Sequence, residues 1–333
     1  MFNRVLVTGG SGFIGTHLVT ALVSLGREVV NLDVKPPVLP EHAKYWREID
    51  VIDRDRLVES FREIAPDAVI HLAARANIEI TDWSSFTSIH EGTSNLLLAA
   101  AGAPTVRRII NTSTQYVAEP GYTPESDTDY RPYTAYGEAK AYAERLFFKE
   151  EPRATWLIVR PTNIWGPGHP SFAKSVWRYL AKRWYLHPSV TPPVVRTYGY
   201  VGNTVRQYIG LLNAPDDVVH RKVFYLGDSE IDSSKWLDAF SLQLTGKPVR
   251  RVPIALLKCF ARLGDFLKAC RLPSPLDSQR VWRMSTNTTA PLQKTFDVAG
   301  PAAITLEDGV AETVKWLRAE YPETYSCVQG GSS

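Results

Sequence analysis

No stretch of this 333-residue chain is long and apolar enough to cross a bilayer. The nearest approach, PIALLKCFARLGDFLKAC, is broken by Lys258, Arg262, Asp265 and Lys268, whereas a span takes about 20 mostly apolar residues. Basic residues set among apolar ones suit a bilayer surface too. An amphipathic helix packed on its own lobe accounts for the same pattern, and that is the expectation. Cysteine is scarce. Cys259, Cys270 and Cys327 form no CxxC pair and no disulfide framework, which fits a reducing cytoplasm, and Cys259 and Cys270 are expected in a core. No apolar leader with a cleavage site precedes VLVTGG, so a cytoplasmic protein is expected. A formal net charge of +3 without a long basic run argues against a nucleic-acid partner. The seven histidines show no HxxxH spacing and no carboxylate cluster joins them, so no metal is expected.

What is present is a regular alternation. RVLVTG, EVVNLD, DAVIHLAA, RRIINTST and TWLIVRPTN read as strands. Between them, FIGTHLVTALVSLG and residues 53–65, 92–102 and 134–151 read as helices. Continuous apolar strands alternating with helices indicate a doubly wound parallel α/β sheet covered on both faces. After Pro161 the rhythm breaks into proline- and aromatic-rich stretches. Residues 1–164, with 196–227 returning, are expected to form the main domain. Residues 165–195 and 228–320 are expected to form a smaller, mostly helical lobe, and 321–333 a flexible tail.

The opening RVLVTGGSGFIG places Gly9, Gly10, Gly12 and Gly15 directly behind a buried strand. Glycine there costs stability unless the backbone must turn sharply or a ligand must come close. A pyrophosphate approaching bare backbone, with the next helix aiming its N–H groups at it, satisfies both conditions. Asp33 ends the second strand, where a carboxylate accepts both hydroxyls of an adenine ribose and repels a 2′-phosphate, so NAD is favoured over NADP. Further on, YGEAK sets Tyr136 and Lys140 one helical turn apart on a single face.

Taken in order, TGGSGFIG, Asp33, DVID (50–53), HLAA (71–74), GTSNLL (92–97), STQYV (113–117), YGEAK (136–140) and RPTNIWGPG (160–168) resemble the extended short-chain dehydrogenase/reductases. The likeness is to their NAD-dependent epimerase/dehydratase branch, which acts on nucleotide sugars. It covers about residues 4–320 and implies a Rossmann-type fold. It implies Tyr136 as general acid/base, Lys140 holding the nicotinamide ribose and lowering the phenol's pKa, and Thr114 bonding the same substrate oxygen. For the cofactor it implies Gly9, Gly12, Phe13, Ile14, Gly15, Asp33, Asp50, Val51, Leu72, Ala73, Ala74 and Pro161 beside Tyr136 and Lys140. Asn163 and Arg196 match positions that meet the sugar diphosphate. Arg75 and Arg280 are added as substrate ligands. A homodimer through a four-helix contact is implied as well.

Departures from that pattern narrow the reaction. Gln115 and Tyr116 stand where sugar dehydratases carry an Asp–Glu pair, which disfavours dehydration, and no cysteine supports a 3,5-epimerase. An NAD-dependent 4-epimerase or 4-keto reductase for surface polysaccharide is the reading that remains. YVGN (200–203), with Asn203 as in hydroxysteroid-dehydrogenase-like relatives, keeps a sterol or lipid dehydrogenase as the alternative. A dinucleotide sensor without catalysis ranks last, since both Tyr136 and Lys140 are retained.

Overall fold

The computed structural model describes residues 1–270, 272–274 and 276–325. The chain divides into two compact units, Met1–Ile164 with Val201–Asp228 and Ala290–Ala302, and Trp165–Tyr200 with Ser229–Thr289 and Ala303–Ser333.

The first unit is built on seven parallel strands in the spatial order Lys222–Leu226, Thr155–Pro161, Arg108–Thr112, Ala68–His71, Arg4–Thr8, Glu28–Asp33 and Trp46–Glu48. Alternation along each strand sends side chains to opposite faces. Val5 and Val7 pack with Leu18, Leu22, Tyr208 and Leu211, from helices Phe13–Ser24 and Val201–Asn213. Leu6 packs on the other face with Leu57, Phe61, Leu96 and Phe147, from helices Arg54–Ile64, Thr87–Ala101 and Ala135–Glu150. Helices therefore cover both faces, and the strands are apolar throughout because neither face meets water. The Thr87–Ala101 helix begins five residues earlier than its apolar spacing suggests, and the short edge strand Trp46–Glu48 has no apolar run to announce it.

Three boundaries differ from the sequence reading. The strand Val195–Tyr200 belongs to the second unit, where it pairs antiparallel with Ser229–Asp232. Residues 290–302 belong to the first unit, because helix Gln293–Ala299 packs on Val201–Asn213. The contact is close: a Cβ on Gly210 would lie 2.6 Å from that of Ala299. Residues 322–325 of the expected tail form a helical turn whose Tyr325 is buried and donates its hydroxyl to the Ala173 carbonyl. The remainder of that tail, 326–333, lies outside the described residues.

In the second unit an aromatic cluster forms the centre. Trp165 packs against Tyr200, Trp236 and Phe240, and Trp177 against Phe172 and Phe240. Cys259 and Cys270 are exposed rather than in a core. The reason is the helix that carries Cys259, Ile254–Ala269, which buries only Leu257, Ala261 and Gly264. Among the described residues no helix is long and apolar enough to cross a membrane.

Candidate functional site

Strand Arg4–Thr8 lies between Glu28–Asp33 and Ala68–His71, so the chain leaves its C-terminal end where successive connections run to opposite sides of the sheet, the usual place for a ligand in such sheets. Gly9 turns there with φ +74°, and a Cβ on it would lie 2.6 Å from the Ala73 nitrogen. A Cβ on Gly15 would lie 2.4 Å from the Gly9 carbonyl oxygen, so turn and helix meet backbone to backbone. Among the described residues, the only neighbour such a Cβ would meet at Gly12 is that same oxygen, at 3.2 Å, and no side chain caps the N-terminus of helix Phe13–Ser24. This cradle fits a pyrophosphate.

Asp33 stands beside it. Its carboxylate accepts the Ser11 N–H at 3.0 Å and the Lys35 N–H at 3.0 Å, which fixes its orientation. Asp50 accepts the Ile52 N–H, and Val51 is buried against Gly92, where an added Cβ would meet Val51 Cγ2 at 2.6 Å. Leu72 and Ala73 are tied to Thr8, by N–H bonds of 2.9 Å to its carbonyl and 3.3 Å to its hydroxyl. Ala74 packs in the cluster that holds Tyr136, and Pro161 ends a strand beside Leu226.

Thr114 follows strand Arg108–Thr112 and is buried, its hydroxyl accepting the Tyr116 N–H at 3.3 Å. The Thr134 hydroxyl caps helix Ala135–Glu150 by accepting the Gly137 N–H at 3.0 Å. Gly137 lets that helix approach the Gln115–Val117 turn, since a Cβ would come within 2.2 Å of the Tyr116 carbonyl oxygen. Cap and glycine together hold Tyr136 close to that turn. One turn on, Lys140 is buried and donates to the Thr112 carbonyl at 2.6 Å.

Burial pushes the Tyr136 phenol up from its ordinary value, opposed by the Thr114 hydrogen bond. Burial also pulls Lys140 down to about 8, with Glu144 pulling the other way. The resemblance assigns Lys140 the task of lowering the phenol's pKa. In this state the phenol stands raised, because desolvation governs it and the ammonium is engaged by Thr112. His71 is held neutral, at about 3, by burial and then by Lys140, and its ring bridges Thr8 at 2.7 Å and Thr93 at 3.4 Å.

One pair escaped the sequence reading. Arg160 meets Glu144 through two bonds, of 2.9 Å and 2.6 Å, and also bonds the Tyr225 hydroxyl and the Asp127 carbonyl. Both partners are buried. The signal was a Glu one turn beyond Lys140 and an Arg inside a strand otherwise apolar.

The NAD dependent epimerase/dehydratase family description matches residues 5–227. The chain belongs to that family. Similar proteins include a 3 beta-hydroxysteroid dehydrogenase/Delta 5-->4-isomerase of Mycobacterium tuberculosis, 30% identical over 68% of this chain and 65% of that protein. A UDP-N-acetyl-alpha-D-glucosaminuronate decarboxylase of Bacillus cytotoxicus is 32% identical over 96% of this chain and 98% of that protein. Among solved structures, the UDP-glucose 4-epimerase of Thermus thermophilus in complex with NAD matches with a TM-score of 0.71 and 23% identity, over 95% of this chain and 99% of that one. The chain spans 51% to 65% of the length of the hydroxysteroid dehydrogenases it matches.

Within the epimerase/dehydratase frame the expected substrate residues are not gathered in one unit. Arg75 is exposed, its N–H on the Ser88 hydroxyl, and Asn163 is half-buried; both belong to the first unit. Arg196 and Arg280 belong to the second, where both charges oppose the upward push of burial on the Tyr185 phenol. Arg196 also donates to the Arg283 carbonyl, and the Arg280 N–H bonds Asp277 at 2.6 Å. His169 is structural. It caps helix Pro170–Lys174 by accepting the Phe172 N–H at 3.1 Å and stacks on the Phe172 ring at 4.1 Å.

Proposed function

We propose that this protein is an NAD-dependent nucleotide-sugar 4-epimerase or 4-keto reductase of the cytoplasm, working in surface polysaccharide synthesis. The observation that carries the reading is the pair Tyr136 and Lys140, both buried one turn apart on helix Ala135–Glu150, with Lys140 tied to the Thr112 carbonyl at the sheet end that also carries the glycine cradle. Gly9, Gly12, Phe13, Ile14 and Gly15 would hold the pyrophosphate, Asp33 the adenine ribose, Asp50 and Val51 the adenine, and Leu72, Ala73, Ala74 and Pro161 the remaining wall. When bound, NAD supplies the hydride acceptor or donor. Tyr136 takes the proton from a substrate hydroxyl as it is oxidised and returns one as the carbonyl is reduced, with Thr114 positioning the same oxygen. Lys140 places a cation by the nicotinamide ribose. Asn163, Arg75, Arg196 and Arg280 are the candidate sugar-diphosphate ligands, with guanidinium groups suited to phosphate oxygens.

The protein is proposed to act as a homodimer through helices Thr87–Ala101 and Ala135–Glu150, on which Leu98 and Tyr142 are exposed. The hydroxysteroid dehydrogenases among its relatives support a second reading, oxidation of a sterol or lipid hydroxyl by the same Tyr136 chemistry. A thermal-shift series on the NAD-loaded protein separates the two. UDP-, GDP- or dTDP-sugars are expected to raise the melting temperature. A rise with 3β-hydroxysterols and none with any nucleotide sugar would replace the first reading with the second.

A further inference from the structure

The helix Ile254–Ala269 turns its bulky side outward. Its packed side is Leu257 with the small residues Ala261 and Gly264, and a Cβ on Gly264 would lie 1.8 Å from the Leu276 carbonyl oxygen, so that side fits closely against the segment behind it. Leu256, Phe260, Leu263 and Phe266 are left in solvent, with Phe260 53%, Leu263 56% and Phe266 64% exposed. At 100° per residue these four fall on one stripe, with Arg262 at one edge and Lys258 further round on that same side. The elements that pack around this helix add exposed tryptophans. Trp282 sits on helix Ser278–Ser285, and Trp184 lies just before strand Leu186–Ser189, which pairs with Arg250–Pro253 leading into the helix.

Charge decides what fits there. The second unit holds 17 Lys and Arg against 10 Asp and Glu, and within it residues 165–200 and 229–289, which include this helix, hold 15 against 5, although the whole chain carries only +3. Three of those five acids are occupied within the unit: Asp238 by Arg251, Asp277 by Lys268, and Asp265 by Ser278. A second copy related by a two-fold axis would bring the same cations against themselves, which disfavours self-association through this face. An apolar stripe with aromatic neighbours and a cationic surround instead matches an anionic phospholipid surface, where insertion and electrostatic attraction act together.

We infer that helix Ile254–Ala269 docks this protein onto anionic lipid bilayers, with Leu256, Phe260, Leu263 and Phe266 entering the headgroup region. The face belongs to the second unit alone and does not depend on the chemistry proposed above.

The test is co-sedimentation of the full chain with sucrose-loaded vesicles, of phosphatidylcholine alone or with 30% phosphatidylglycerol, at about 50 and 500 mM salt. Binding is expected to the anionic vesicles only, falling at least about tenfold at the higher salt. The double variant Phe260→Glu/Leu263→Glu should lose at least about tenfold in vesicle binding while keeping its circular dichroism and melting temperature, since both side chains are already in water. The charge variant Lys258→Glu/Arg262→Glu should weaken binding at low salt. Failure to bind anionic vesicles, or equal binding to neutral ones, would overturn the inference. So would a sedimentation-velocity result in which Phe260→Glu/Leu263→Glu splits an oligomer without changing vesicle binding, because the stripe would then be a contact between copies.

Discussion

Tyr136 is kept protonated by burial, and that sets a direction for its chemistry. Oxidation of a substrate hydroxyl needs the phenol to have released its proton, so the oxidative rate should climb with pH, by about tenfold per unit while the phenol remains mostly protonated. Reduction of a carbonyl needs the protonated phenol, which is already present at neutral pH, so its rate should stay flat there. Lys140 modifies the oxidative limb. It titrates at about 8, and above that pH the cation that favours the phenolate is lost, so the climb should bend over. Initial rates in both directions between pH 6 and 10, at saturating NAD or NADH, check the pair of profiles. Identical profiles would remove Tyr136 from the proton transfer. Tyr136→Phe should abolish both rates, by roughly 10² to 10⁴, while leaving the dinucleotide affinity within a few-fold. That Tyr136 and Lys140 share a face was readable from their spacing, because two side chains four apart on a helix lie one turn apart, but the roles proposed for them came from the resemblance and not from the spacing. The direction of the phenol's pKa was not, because desolvation depends on what the fold stacks around it.

At the scale of elements, the helix that carries Tyr136 and Lys140 is held by a charge pair rather than by packing alone. Glu144 and Arg160 are both buried, and Arg160 spends its remaining donors on Tyr225 and Asp127. Breaking such a pair on one side strands a buried charge, whereas removing both partners costs less. Glu144→Gln is therefore expected to destabilise the protein by about 3 to 5 kcal/mol in urea titration, and Glu144→Gln/Arg160→Met by less than that. The single variant should also move the bend in the oxidative pH profile downward, because Glu144 is what holds Lys140 up against burial. A stability loss with an unmoved profile would make the pair purely structural. The sequence displayed both residues without linking them, since two positions sixteen residues apart, one on a helix and one on a strand, meet only through sheet order. Helix Ile254–Ala269 illustrates the opposite difficulty. Its amphipathic pattern was visible, but Leu257, Ala261 and Gly264 form the packed side while Leu256, Phe260, Leu263 and Phe266 stay exposed, and apolar periodicity does not say which of its bulky residues face inward.

Across the whole molecule, the chain crosses between its two units five times, and only some of those crossings leave a local mark. Pro161 and the aromatic run after it announce the first departure. The return of residues 290–302 has no such signal, because Gln293–Ala299 is a short helix of mixed composition whose place is decided by partners far back in the chain. Thr295 donates its hydroxyl to the Tyr225 carbonyl at 2.6 Å, and Ala299 fills the space left by Gly210. This makes the dinucleotide-binding unit dependent on a segment that follows most of the second unit in the chain. Ala299→Leu tests that dependence, since the added carbons have no room against Gly210 and overpacking of this kind costs about 1 to 3 kcal/mol. Were 290–302 part of the second unit, the damage would appear there. The expected outcome in hydrogen-exchange mass spectrometry is faster exchange in helix Val201–Asn213 and strand Lys222–Leu226, with helix Ser233–Thr245 of the second unit unchanged. Loss of protection in Ser233–Thr245 alone would return the segment to the second unit.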